Sequence, residues 1–85
     1  MLNITEVEAE LKEFILEEFL PDEDAEDLTN DIELISTGIL DSVSVIKVIA
    51  YIEGEYSIVI EPAEANAANM NSIEAMAKLI QTKTA

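Results

Sequence analysis

Apolar residues recur at three- and four-residue intervals in separate stretches of this chain. That periodicity restricts it to packed helices more tightly than any other feature. Val7, Leu11, Phe14 and Ile15 share one helical stripe, with Phe19 near its end, while Glu6, Glu8, Glu10, Glu13 and Glu17 take the other faces. Thr5 followed by Glu8 fits a capping box, and Pro21 stops the run, so a first helix is expected over 5–19. From Asp41 to Tyr56 the residues are β-branched enough for a strand. The stretch is too long for one, and Val45, Ile49, Ile52 and Tyr56 fall on one stripe, which predicts a helix over 42–55. Ser72 suits a cap ahead of the inward set Ile73, Met76, Ala77 and Ile80, placing a last helix over 72–82. Between these, Ser57-Ile58-Val59-Ile60 reads as a short extended piece, and Pro62 suits the first turn of a short Ala-rich helix, Pro62–Asn69.

The expected fold class is therefore all-α. It is a small four-helix bundle, three main helices plus a short third one, with a long loop between helices one and two. That loop, 20–41, opens acidic and then carries Leu28, Ile32, Leu34, Ile35, Ile39 and Leu40. A solvated linker would not hold so many large aliphatics, so the loop is expected to lie across the core and seal it. Gly38 suits a turn that needs positive φ. The whole chain, 1–85, is expected to form a single domain with one modest core.

Charge and composition exclude several functions. Four Lys, no Arg and 19 Asp+Glu give a net charge of −15. Nothing here neutralises a run of phosphates, so no nucleic-acid partner is expected. Cys is absent, which leaves no disulfide framework and no thiolate nucleophile. His is absent too, removing Ser-His catalysis and the usual zinc sets. A self-sufficient enzyme is not expected, and a protein that carries or docks something is the better reading. The N-terminus lacks a secretory pattern, and the apolar runs fall short of the roughly 18 residues of a membrane span. A cytoplasmic, monomeric protein with no membrane partner is expected.

The acids are unevenly placed. Residues 1–41 hold 14 of them against one Lys. One face of the molecule should therefore carry a strong negative field that steers basic partners; the plainer reading is a solvated surface. Asp22, Asp24, Glu26 and Glu33 fall at the first, third, fifth and last places of a calcium-loop spacing. The sixth place, which needs Gly for the sharp turn, is Asp27, so an EF-hand is not expected.

The sharpest feature is Thr37-Gly38-Ile39-Leu40-Asp41-Ser42-Val43. A turn delivers Ser42 to the start of the second helix, where free N–H groups and the helix dipole favour an anion on its oxygen. The plainer reading is that Ser42 only caps the helix.

Gly38-Ile39-Leu40-Asp41-Ser42-Val43 resembles the attachment signature of acyl carrier proteins, Asp-Ser followed by an apolar residue at the start of the second helix. Asp41 through Tyr56 looks like that family's second helix. Ile58 to Glu64, Asn71-Ser72-Ile73 and Leu79-Ile80 are similar to its third and fourth. The longer third segment is similar to that of D-alanyl and other stand-alone carriers. The resemblance implies a non-catalytic carrier. A phosphopantetheinyl transferase would attach 4′-phosphopantetheine from coenzyme A to the Ser42 hydroxyl, with Asp41 helping to place the transferase and its metal. It also implies an acyl- or aminoacyl-loading ligase and downstream acyl-processing enzymes with basic docking patches as partners. Val43, Lys47, Glu53 and Glu55 are the partner-facing candidates, Val43 being equally well a core residue. Common fatty-acid carriers place acids in the first turns of the second helix, where this chain has Ser44 and Lys47. That departure favours a dedicated pathway. Ile46, Ile49, Ile52 and Ile73 could line a cleft for an acyl chain, and core positions are the stronger expectation. The competing reading is a small acidic helical interaction or regulatory protein, weakly divalent-binding, with Ser42 as a cap.

Overall fold

Four helices and one 3₁₀ turn order the chain, and no strand is present among the described residues, which in this computed structural model are 3–84. Helix α1 spans Ile4–Phe19, one residue longer at its start than expected. The Thr5–Glu8 capping box does not form. Asn3 is the N-cap instead, its Oδ1 accepting the Thr5 N–H at 2.9 Å, because an Asn upstream caps as well as Thr and leaves Thr5 inside the first turn. Leu20, just ahead of Pro21, closes α1 by donating its N–H to the Leu16 carbonyl at 3.1 Å.

Helix α2 covers Ser42–Tyr56 and ends on Ser57 in the left-handed region, at φ 54°. Its buried centre is Val48 with Ile52, while Val45, Ile49 and Tyr56 of the expected stripe are only half-buried. The stripe is shifted because α2 packs on two neighbours. It meets α4 on one side, and on the other Tyr51 stacks on Phe14 of α1 with centroids 4.1 Å apart. At the foot of that seam the Tyr56 hydroxyl donates to Glu10 Oε1 at 2.6 Å.

The short third helix is displaced from Pro62–Asn69. Helix α3 is Ala67–Met70, capped by Asn66, whose Oδ1 accepts the Asn69 N–H at 3.0 Å. Pro62 opens only a turn: Glu64 Oε1 accepts the Glu61 N–H at 2.9 Å, as in a capping box, and the Ala65 N–H reaches the Glu61 carbonyl at 3.2 Å, but Asn66 then leaves the helical region to cap α3. Lys83 then holds Glu64 at 2.7 Å and keeps its carboxyl below the usual glutamate range. The expected extended piece 57–60 does not form as read: Ser57 is left-handed where it ends α2, 58–60 are irregular rather than strand, and Ile60 is buried. Helix α4, Ile73–Thr84, starts as expected behind Ser72, whose Oγ accepts the Ala75 N–H at 3.1 Å. It buries Ile73, Met76, Ala77 and Ile80 against α1.

The long loop seals the core. Leu28, Leu34 and Leu40 are buried among the helices, with Ile32, Ile35 and Ile39 packed half-buried around them. Ala25–Asp27 forms its single 3₁₀ turn. Gly38 turns the chain at φ +82°, a conformation that favours glycine.

Candidate functional site

The site is built where the sealing loop becomes α2. Leu40 anchors in the core, and Asp41, extended at φ −94° and ψ −175°, stands outside the helix as its N-cap. Asp41 Oδ1 accepts the Ser44 N–H at 2.8 Å, and the Asp41 carbonyl accepts the Val45 N–H at 2.9 Å. The backbone hydrogen bond from Ser44 is the main reason that the Asp41 carboxyl lies below the ordinary aspartate range.

This arrangement overturns Ser42 as a cap. Capping falls to Asp41, whose carboxylate is one of the best acceptors for an N-terminal N–H, and Ser42 is the exposed first residue of the helix proper. Its hydroxyl opens beside a cleft of about 620 Å³. Val45, Ile46 and Ile49 of α2 form one wall of the cleft, Gly38 and Leu40 its end, and Asn66 with Ala67 the facing wall. An exposed primary alcohol at a helix start, next to a cleft of mixed apolar and amide character, fits a phosphate-linked flexible arm.

A family model described as the phosphopantetheine attachment site matches residues 13–80. The chain belongs to this phosphopantetheine-binding family. The group carried by such domains is covalent 4′-phosphopantetheine, and the domains are generally non-catalytic. No curated protein gives a significant match to this chain.

The other candidate residues divide by location in this carrier. Val43 is 61% exposed and Ile46 65% exposed, so Ile46 is not the core residue expected of it. With Lys47 and Ala50, both exposed, they continue one open face of α2 from Ser42. Glu55 is exposed at the far end of the helix. Glu53 is half-buried, and its Oε2 accepts the Ile60 N–H at 2.9 Å, holding the chain that leaves α2 against the helix. Ile52 and Ile73 are core, whereas Ile49 lines the cleft. The acids from Asp22 to Glu33 do not converge on a point: among the described residues no three Asp or Glu are placed to hold a metal. No helix of the described residues is long and apolar enough to cross a membrane.

Sequence reasoning missed Asn71, at the α3–α4 junction, which reaches the loop ahead of Ser42 with both its backbone and its side chain. Its signal is faint, an Asn beside the helix cap Ser72, and nothing in the spacing points 35 residues upstream.

Proposed function

We propose that this protein is one carrier domain over 1–85, loaded on Ser42 and moving an acyl or aminoacyl group between enzymes of a dedicated pathway. The observation that carries this reading is the exposed Ser42 Oγ at the first residue of α2, beside the cleft and inside the matched span. Ser42 Oγ would attack the phosphopantetheine phosphorus of coenzyme A and give its proton to a base on the transferase, while the pyrophosphate P–O bond breaks and adenosine 3′,5′-bisphosphate leaves, so the missing His is no obstacle. Asp41 caps the helix with its carboxylate, held ionised by the Ser44 N–H, and would help to place the transferase and its metal. When bound, the arm supplies a terminal thiol that holds cargo as a thioester. The chain's lack of Cys leaves no internal thiol to take that cargo by exchange.

Partners meet two different surfaces. The acidic α1 and loop attract basic patches and give fast, weak, salt-sensitive encounters. The Val43, Ile46 and Lys47 face offers apolar contact and one cation, with no acid in the first turn of α2. Glu55 lies at the end of that helix. These surfaces suit a phosphopantetheinyl transferase, a loading ligase and downstream enzymes in the cytoplasm, met by a monomer.

The test is intact-mass analysis after incubation with coenzyme A, Mg²⁺ and a broad-specificity transferase. Wild type is expected to gain the mass of one phosphopantetheine, and Ser42→Ala none. No gain by wild type with several transferases, or a gain that survives in Ser42→Ala, refutes the reading.

A further inference from the structure

One residue of the α3–α4 junction bonds to both sides of the Ser42 cleft. The Asn71 N–H donates to the Ala67 carbonyl at 2.9 Å, on the α3 wall. Its carbonyl accepts the Leu34 N–H at 2.6 Å. Its Oδ1 accepts the N–H groups of Ile35 at 2.7 Å and Ser36 at 3.1 Å, and its Nδ2 donates to Ser36 Oγ at 3.0 Å. Two backbone donors aimed at one side-chain atom require that atom to be oxygen, which fixes the amide's orientation.

The side chain is not spent on its own neighbourhood. Ser72 already caps α4, so Asn71 directs its amide wholly to a turn 35 and 36 residues away. That turn closes on itself: the Leu34 carbonyl accepts the Leu40 N–H at 2.9 Å, and the Ile35 carbonyl accepts the Gly38 N–H at 3.0 Å. The next residues are Asp41 and Ser42. Asn71 therefore holds the base of the turn whose far end presents the attachment hydroxyl.

We propose that Asn71 is a positioning residue for loading. It fixes the 34–40 turn relative to α3 and so sets where the Ser42 hydroxyl stands at the mouth of the cleft. This rests on the carrier reading above. Misplacing a reacting atom by about 1 Å can cost up to about a hundredfold in rate. The partner-facing side of α2 keeps its own packing when the amide is removed. The loss should therefore fall on the chemical step and spare docking.

The experiment is steady-state loading of the full chain by a transferase that accepts it, with carrier concentration varied. Asn71→Ala is expected to lower kcat at least about tenfold with the KM for carrier changed by less than about threefold. Asn71→Asp keeps an acceptor for both N–H groups, and the Ser36 hydroxyl can turn to donate to it. This variant is expected to recover kcat to within about threefold of wild type. Circular dichroism at the assay temperature reports whether Asn71→Ala is folded. If it is not, Ser36→Ala, which removes only the Nδ2 contact, is expected to lower kcat by about two- to fivefold. A folded Asn71→Ala with wild-type kcat, a loss confined to KM, an Asn71→Asp as slow as Asn71→Ala, or, in that fallback, Ser36→Ala at wild-type kcat overturns the proposal while Ser42 loading stands. Failure of wild type to load overturns both.

Discussion

Leu34 sits in the middle of a 22-residue connection, 20–41, yet none of its side chain reaches solvent. Leu34→Ala removes roughly three methylene-sized groups, worth about 2.4 kcal/mol of transfer free energy at ~0.8 kcal/mol each. A cavity cost is added to the extent that the site cannot collapse. Here collapse is resisted, because the Leu34 N–H is tied to Asn71 at 2.6 Å and its carbonyl to Leu40 at 2.9 Å. The expected loss is therefore about 3–4 kcal/mol, inside the usual Leu→Ala range. For a domain of this size each kcal/mol moves Tm by roughly 4–8 °C, so Tm should fall by at least about 12 °C. Thermal and urea unfolding at fixed ionic strength measure it, with Val59→Ala, at a position 64% exposed, as the control expected to change little. A Leu34→Ala loss below about 1 kcal/mol, or one equal to the control, refutes the claim that the loop is part of the core.

Two further perturbations test other parts of the argument. A Cβ on Gly38 would meet nothing within 4 Å, so Gly38→Ala isolates the cost of φ +82°; about 1–2 kcal/mol is expected by denaturant titration, and unchanged stability refutes the turn assignment. Burial, then the hydrogen bond to Glu10, raises the Tyr56 hydroxyl's pKa far above that of a free tyrosine. The folded state therefore holds this proton more tightly than the unfolded one. Its stabilisation is complete below the unfolded pKa of about 10 and is lost as pH rises beyond it. Tyr51 is shifted in the same direction, chiefly by burial. Tyr56→Phe should flatten, without abolishing, the fall in unfolding midpoint between about pH 10 and 12; parallel curves for variant and wild type contradict this.

The parts legible in the sequence are those written in short-range intervals. The stripes Val7-Leu11-Ile15 and Ile73-Met76-Ala77-Ile80 are buried as their spacing required. Six aliphatics in the loop announced a sealing segment, and the turn before Ser42 announced a helix start. Where the reading missed, several polar groups were equivalent locally. Asn3 and Thr5 could each cap α1, Asp41 and Ser42 could each cap α2, and Pro62 and Asn66 could each open the short helix. Distance and direction chose among them, since a hydrogen bond needs its heavy atoms within about 3 Å and aligned.

By itself, then, the order of residues determined the helical class, the core faces, the acidic half and the Asp-Ser start of the second helix, because each depends on neighbours within a turn or two. Folding in three dimensions decided that Asp41 and not Ser42 caps α2, that Ile46 faces water, that Glu53 is tied to Ile60, and that Asn71 grips a turn 35 residues upstream. The exposure of Ile46 and the grip of Asn71 depend on which segments pack together, and the Asp41 and Glu53 bonds on which of several equivalent groups ends up aimed at a donor; apolar spacing encodes neither.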